Sequence, residues 1–271
     1  MKKRKILAIT VTAVFLWCVV WAVAGDVSNP QTGNGGLVLQ SRLNKESYML
    51  GEPVKAEFKL VNSGEATVVV PSGGVEVGSL KIFIADKKNG EYKEYRGSGW
   101  GTETGRPLDL KPGLTHEYSE VTILWNGKSK LIHFSEDEMK EALRGRISTE
   151  YAFQVPGVYW VKGLSYFGTD FKPIESDPIR IEIKEPAGED LEVWKQIKGN
   201  REIAYLMQKG AFDTDIESNK RELISNLEQI LIEHPGSVYS SYLRPNLEKF
   251  KADEIRRKEM LQKAMKPANR E

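Results

Sequence analysis

The spacing of apolar residues changes once along this chain, and that change limits the folds open to it. From Leu37 to about Lys184 apolar residues recur at every second position, the pattern of half-buried β-strands. After Glu185-Pro186-Ala187-Gly188 they recur every three or four positions, which predicts helices. The sequence therefore predicts consecutive regions: a β unit over residues 37–186, a helical unit over 187–252 and a charged tail over 253–271.

The β unit is predicted to contain many short strands joined by Gly, Pro and Asn turns. Asn89-Gly90 is a hairpin signal, and His116–Trp125 is predicted to be one strand. This spacing predicts an antiparallel sandwich or barrel. Tyr159 lies two residues before Val161 at the start of a late strand, as in the tyrosine corner of immunoglobulin domains, where the hydroxyl bonds to backbone. An ordinary aromatic strand residue is the alternative for Tyr159.

The helical unit is predicted to contain four helices. Trp194 lies on the apolar stripe of the first helix, Asn200 is placed to cap the second and Gly210 to end it. The pattern over 219–233 predicts the third, and a turn containing Pro235 and Gly236 leads into the last. After Lys251 the chain is mostly charged and is predicted to fray.

The N-terminus carries the parts of a secretory signal peptide over residues 1–24. Lys2–Lys5 are basic, the run from Ile6 is apolar, and Ala22 and Ala24 precede Gly25 as a small-residue cleavage site. An uncleaved membrane anchor is the alternative, and lipid attachment at Cys18 is a third possibility. Residues 25–36 are glycine-rich and polar, which predicts a flexible linker. Export implies a periplasmic or extracellular protein, or one anchored at its N-terminus.

The sequence offers no recognisable catalytic, metal or cofactor site. The chain has three histidines and one cysteine, the latter inside the apolar N-terminal segment. The acidic run after Asp213 lacks the glycine and glutamate spacing of an EF-hand. The glycine-rich loop 97–105 lacks a phosphate-loop ending. This loop does contain Trp100, which we predict either to contact a peptide, glycan or protein or to pack back on the sandwich.

Charge excludes one class of partner. The chain has 39 basic and 38 acidic residues, so it has no large basic field to attract nucleic acid. A protein or another envelope component is the expected partner. Membrane contact is expected only through the N-terminal segment, if it is retained.

Two segments resemble known families. Gly51-Glu52-Pro53-Val54, with Leu110-Lys111-Pro112-Gly113 and Pro156–Tyr159, resembles the immunoglobulin-like domains of bacterial secreted and cell-envelope proteins; intracellular-proteinase-inhibitor-like domains share a similar layout. Glu233–Tyr239 resembles the inter-helix turn of tetratricopeptide-like repeats, although the full repeat signature is absent. The resemblances imply an immunoglobulin-like antiparallel β-sandwich followed by an αα-hairpin, and they transfer no catalytic residues.

The sequence therefore predicts an exported, non-catalytic binding or scaffolding protein of the cell envelope. A protease-inhibitor-like module that uses loop 97–105 is the alternative. An enzyme of unrecognised type is the third possibility.

Overall fold

The structure is a computed structural model that describes residues 36–75, 78–97, 106–126, 150–166, 173–212 and 217–265. Within these ranges the chain forms fourteen strands followed by four helices. The sheets are antiparallel except where β2 runs parallel to β14. The protein is thus a mixed β plus α molecule whose helices follow its strands.

The strands are β1 (Leu37–Leu43), β2 (Ser47–Met49), β3 (Val54–Asn62), β4 (Val68–Pro71), β5 (Leu80–Ala85), β6 (Lys93–Tyr95), β7 (Pro107–Leu110), β8 (Thr115–Glu117), β9 (Val121–Ile123), β10 (Trp125–Asn126), β11 (Glu150–Tyr151), β12 (Gly157–Ser165), β13 (Ile174–Glu175) and β14 (Ile179–Lys184). The helices are α1 (Glu189–Ile197), α2 (Arg201–Lys209), α3 (Glu217–Glu233) and α4 (Val238–Met265).

Two larger sheets share one hydrophobic core. The first has the order β1-β3-β8, with β9 also paired to β3, and the second has the order β2-β14-β12-β5-β6. The predicted alternation along β3 is confirmed, because every second residue from Val54 to Leu60 is fully buried. Gly163 of β12 lies against Phe58 of β3, and an added Cβ would lie 2.6 Å from the Phe58 ring. The sheets therefore pack too closely there for a side chain.

The single strand predicted over His116–Trp125 is wrong. The segment forms β8, β9 and β10, because its residues pack into two different cores. Tyr118 turns into the core between the sheets and its hydroxyl lies 2.7 Å from Ser165 Oγ. Leu124 and Trp125 instead pack among the helices. The Asn89-Gly90 hairpin is confirmed by the antiparallel pairing of β5 with β6.

The predicted ends of α2 are confirmed. The Asn200 side chain accepts from the backbone nitrogens of Glu202 and Ile203, at 3.1 and 3.2 Å. At the other end Gly210 adopts the left-handed conformation, with φ 71°, which a residue without Cβ adopts most readily. These caps bound a nine-residue helix that would be marginal in isolation.

Helix α4 extends beyond the predicted end near Lys251 and continues to Met265. Strong helix formers make up most of this extension, and Arg256 is ion-paired with Asp253 one turn earlier, at 2.9 Å. The extension packs on little, since Ile255, Met260 and Leu261 are all more than half exposed. Local helix propensity thus extends α4 beyond the part that packs on the rest of the protein. Among the described residues, no helix combines the length and apolar character required to cross a membrane.

Candidate functional site

The outward side of the second large sheet carries several aromatic rings. Alternation along β12 places Trp160, Lys162, Leu164 and Tyr166 on the side opposite the buried Val161. We call this surface the aromatic face. Its further members are the outward or flanking side chains of the neighbouring strands and turns, Lys81, Phe83, Lys88, Tyr92, Glu94, Glu175, Arg180 and Glu182.

Three rings of the aromatic face each lie beneath a lysine ammonium group. Lys162 Nζ lies 4.6 Å from the centre of the Tyr92 ring. Lys81 Nζ lies 5.2 Å from the Tyr166 ring, and Lys88 Nζ lies 5.3 Å from the Trp160 ring. All three distances fall within cation–π range. The lysine stems shield the rings partly from water while the charges stay at the surface.

The cations of this face are balanced by carboxylates. Lys162 Nζ lies 2.6 Å from Glu175 Oε2, and Lys81 Nζ lies 3.4 Å from Glu94 Oε2. Partial burial and, secondly, the nearby Glu175 carboxylate raise the pKa of Tyr92. Tyr92 is therefore a neutral phenol at physiological pH, and its hydroxyl donates to the carbonyl of Lys88 at 2.9 Å.

A second aromatic cluster joins the sheets to the helices. Trp125, Tyr151 and Trp194 make successive edge-on contacts, with ring centres 5.0 and 5.1 Å apart. The Trp194 ring then stacks on Tyr239, with centres 6.0 Å apart. We call these four residues and their hydrogen-bond partners the interdomain junction. Trp125 and Tyr151 belong to the β unit and Trp194 and Tyr239 to the helical unit, so the Tyr151–Trp194 contact joins the two units.

Buried hydrogen bonds connect the two units across this junction. Tyr239 Oη donates to the carbonyl of Leu50 at 2.6 Å. Gln208 Nε2 donates to Tyr95 Oη at 2.7 Å, and Gln208 Oε1 accepts from the Trp125 backbone nitrogen at 3.0 Å. Burial raises the pKa values of Tyr95 and Tyr239 well above the ordinary range, so both hydroxyls remain donors.

Glu52 is a buried carboxylate at the edge of the junction. Its oxygens accept from the Met49 backbone nitrogen and from Tyr242 Oη, each at 2.8 Å, and it is ion-paired with Lys45. Because all these donors point at one carboxylate, Glu52 is satisfied inside the protein. The arrangement holds α4 against the segment between β2 and β3 and leaves no oxygen poised for proton transfer to a substrate.

Gly51 permits a close approach between the units. Its φ is +81°, and an added Cβ would lie 2.0 Å from the Trp194 ring. Both the backbone conformation and the space therefore require glycine. The segment Gly51–Val54, which resembles part of the immunoglobulin-like envelope domains, thus contributes directly to the interdomain junction.

The remaining predicted site residues lie in several places. Val161 is buried in β12, and Tyr159 Oη donates to the carbonyl of Val155 at 2.8 Å. Pro235 and Gly236 form the turn between α3 and α4, where the Gly236 nitrogen donates to Glu189 Oε1 at 3.3 Å. Trp100 and the cleavage-site residues Ala22, Ala24 and Gly25 lie outside the described residues, as does most of loop 97–105.

The two described histidines are not brought together. The His116 ring contacts Tyr118 in the β unit, whereas His234 lies in the α3–α4 turn near Glu189. In the ranges that the structure covers, no three His, Cys, Asp or Glu side chains are grouped to hold a metal ion. Two shallow clefts of about 170 and 210 Å³ border Tyr95, and the rings of Trp160, Tyr92 and Tyr166 line neither of them.

The aromatic face was not predicted from the sequence, although a signal for it was present. The run from Val158 to Tyr166 was interpreted through Tyr159 and Val161, the residues of one side. The same alternation places Trp160, Lys162 and Tyr166 together on the other side. The lysine partners from β5 and the β5–β6 turn could not be read from the sequence, because cross-strand neighbours depend on register.

Comparison with known proteins yields only low similarities. No protein-family model matches the chain, and no curated protein matches it. A β-glucosidase from Erythrobacter marinus matches 55% of this chain at 11% identity with a TM-score of 0.27, and the chain spans only 15% of that protein. A β-glucosidase from Listeria innocua matches 55% at 13% identity (TM-score 0.26), with 16% of its own length covered. The Bacillus subtilis sporulation control protein Spo0M matches 59% at 12% identity (TM-score 0.27), with 53% of its length covered.

Proposed function

We propose that this protein is an exported, non-catalytic binding and scaffolding protein of the bacterial cell envelope, and that the aromatic face is its binding surface. The observation that carries the proposal is the group of three half-buried or exposed aromatic rings on the outward side of one sheet, each with a lysine ammonium group 4.6–5.3 Å from its centre. Tryptophan and tyrosine provide large contact areas at a small entropic cost, which suits a recognition surface.

An immunoglobulin-like sandwich is the architecture that we propose for the β unit. The pairing of β1 and β8 with β3 matches one immunoglobulin sheet, and the order β14-β12-β5-β6 matches the other sheet with its added variable-type strand. The bond from Tyr159 Oη to the Val155 carbonyl supports a tyrosine corner. In this arrangement the aromatic face is the outer surface of the sheet that contains β12.

The scaffolding role is supported by the interdomain junction. Helices α1, α2 and α4 are held to the β unit by the edge-on contact of Trp194 with Tyr151 and by buried hydrogen bonds from Gln208 and Tyr239. These contacts fix the orientation of the helices relative to the β unit, because none of the contacting residues can move without breaking a buried contact. The helical unit would therefore present its exposed surfaces at a set angle to the aromatic face.

Export is supported by the basic residues Lys2–Lys5, the apolar run after them and the Ala22-Val23-Ala24 site. Mass spectrometry of the protein purified from its native envelope tests this part. We expect Gly25 as the first residue. Intact Met1 in the membrane fraction would instead indicate the anchored form.

Binding is tested by co-sedimentation of the purified protein with its native envelope fraction. We expect the unaltered protein to sediment and Trp160→Ala and Tyr166→Ala to remain largely in solution. Tyr205→Ala on α2 is the matched control, since it removes a half-buried ring far along the chain from this sheet. Equal sedimentation of all four proteins would contradict a binding role for the aromatic face.

A further inference from the structure

The aromatic face has a shape and charge pattern that favour one kind of ligand. We infer that it binds an uncharged polysaccharide, an inference that rests on the proposed function of this face. The rings would stack on the apolar C–H sides of successive sugars. The interleaved charged side chains would hydrogen-bond the sugar hydroxyls.

The length of the face matches an extended polymer. Trp160 and Tyr166 lie on the same side of β12, six residues apart, which corresponds to roughly 20 Å along a strand. Tyr92 flanks the space between them through its contact with Lys162. The Trp160, Tyr92 and Tyr166 rings line neither of the two clefts described above, and a chain laid along the sheet would contact all three rings.

The charges of the face exclude a strongly charged ligand. Lys81 and Lys162 are ion-paired with Glu94 and Glu175, and Arg180 and Glu182 point outward from the same strand, β14. With Lys88 included, the aromatic face carries four cationic side chains and three carboxylates. The face therefore has almost no net field to attract a polyanion, whereas it has many donors and acceptors.

The same charges argue against a protein partner. Lysine and glutamate are depleted in the centres of protein interfaces, and binding hot spots lie in desolvated pockets. Here Lys81, Lys162, Glu94 and Glu175 are interleaved with the rings. A protein surface would have to dehydrate them, while sugar hydroxyls would keep them hydrogen-bonded. The lysine ammonium groups can leave the ring faces by rotation of their flexible stems.

Native affinity electrophoresis tests this inference with defined probes. The purified protein would be run in gels that contain dextran, hydroxyethyl cellulose, a mannan or a galactan, with polygalacturonate as the charged comparison. We expect retardation by at least one neutral polysaccharide. Retardation by polygalacturonate alone, or by none of the five, would overturn the inference.

Single-residue variants test whether the polysaccharide binds at the aromatic face. Trp160→Ala should weaken the neutral polysaccharide interaction about tenfold, as expected when one stacking ring is removed. Tyr166→Ala, at an exposed strand end, provides the same test without a packing defect, and Tyr205→Ala should bind like the unaltered protein. Thermal melting of each variant verifies folding. Unchanged binding by folded Tyr166→Ala and Trp160→Ala would overturn the inference.

Failure of the polysaccharide inference can be distinguished from failure of the proposed binding function. If the protein sediments with its envelope through the aromatic face but no neutral polysaccharide retards it, the binding role stands and the ligand is of another class, such as a protein. If Trp160→Ala and Tyr166→Ala affect neither assay, both proposals fail.

Discussion

The interdomain junction and the aromatic face are both built from tryptophan and tyrosine, but their rings have different partners. At the junction the rings touch one another, and Tyr239 and Tyr95 hydrogen-bond to buried groups. On the face the rings lie beneath lysine ammonium groups, and Tyr166 is 36% exposed. The same residue types thus join two units of the fold in one region and lie beneath lysine side chains in the other. What differs is the partner that the tertiary structure provides, and the following predictions test that difference.

The largest expected effect is alkaline unfolding. Burial raises the pKa of Tyr48 to about 12 and that of Tyr95, Tyr151 and Tyr239 further, whereas tyrosine in an unfolded chain has a pKa of about 10. The folded state therefore retains protons that the unfolded state releases. Stability from these groups is complete below about pH 10 and is lost as the pH rises through their folded pKa values.

We expect tyrosinate absorbance and loss of circular dichroism to change together in one steep step above about pH 10. The control is the same titration in strong denaturant, where tyrosine should ionise gradually. If the native protein ionised most of its tyrosines gradually with its circular dichroism intact, the junction would be far more open to water than the structure indicates.

The next effect compares one tryptophan of each region. Trp194→Ala removes a ring that contacts Tyr151, Tyr239 and Gly51, and we expect a loss of about 3 kcal/mol in the free energy of unfolding. Trp160→Ala on the face should cost less than about 1 kcal/mol. Urea denaturation measures both. Equal losses would mean that Trp160 is a core residue and that the face is not a free surface.

A smaller effect is expected for the Tyr239 hydroxyl. Tyr239→Phe leaves the buried carbonyl of Leu50 without its donor, which should cost about 1–3 kcal/mol. Tyr166→Phe, in which the hydroxyl lies at an exposed strand end, is the matched change on the face and should be near neutral. Thermal melting distinguishes the two variants, and identical melting temperatures would remove the distinction between the regions.

The smallest effect is expected for Tyr159→Phe. The sequence predicts a structural hydroxyl here, and the hydroxyl does donate to the Val155 carbonyl. Since Val155 is 61% exposed, water can replace the lost donor. We therefore expect a cost of about 1 kcal/mol or less in a urea titration. A cost like that of Tyr239→Phe would indicate a corner much less hydrated than its exposure suggests.

Several features of the fold follow from local patterns in the sequence. The change of apolar period places strands before helices, and the alternation along β3 identifies its buried face. The Asn89-Gly90 hairpin and the Asn200 and Gly210 ends of α2 were likewise predicted. These features are readable because each depends on residues within a few positions of one another, through backbone conformation or the side-chain period.

Other features depend on contacts between distant segments. Leu124 and Trp125 belong to the strand region in sequence but to the helical core in space, which is why the single strand predicted over His116–Trp125 is divided. Likewise, nothing near Glu52 indicates that its hydroxyl donor is Tyr242, 190 residues later. The predicted end of the last helix was wrong for the converse reason, because local helix propensity extends α4 without tertiary contacts.

The sequence by itself therefore determined that strands precede helices, where the second helix begins and ends, and which side of β3 is apolar. It also placed Trp160, Lys162 and Tyr166 on one side of a strand. Only the tertiary structure decided that Trp194 packs on Tyr151 and Tyr239 while Trp160 lies beneath Lys88. The reason is that a side-chain period specifies direction relative to the backbone, whereas burial depends on which other segment occupies that direction.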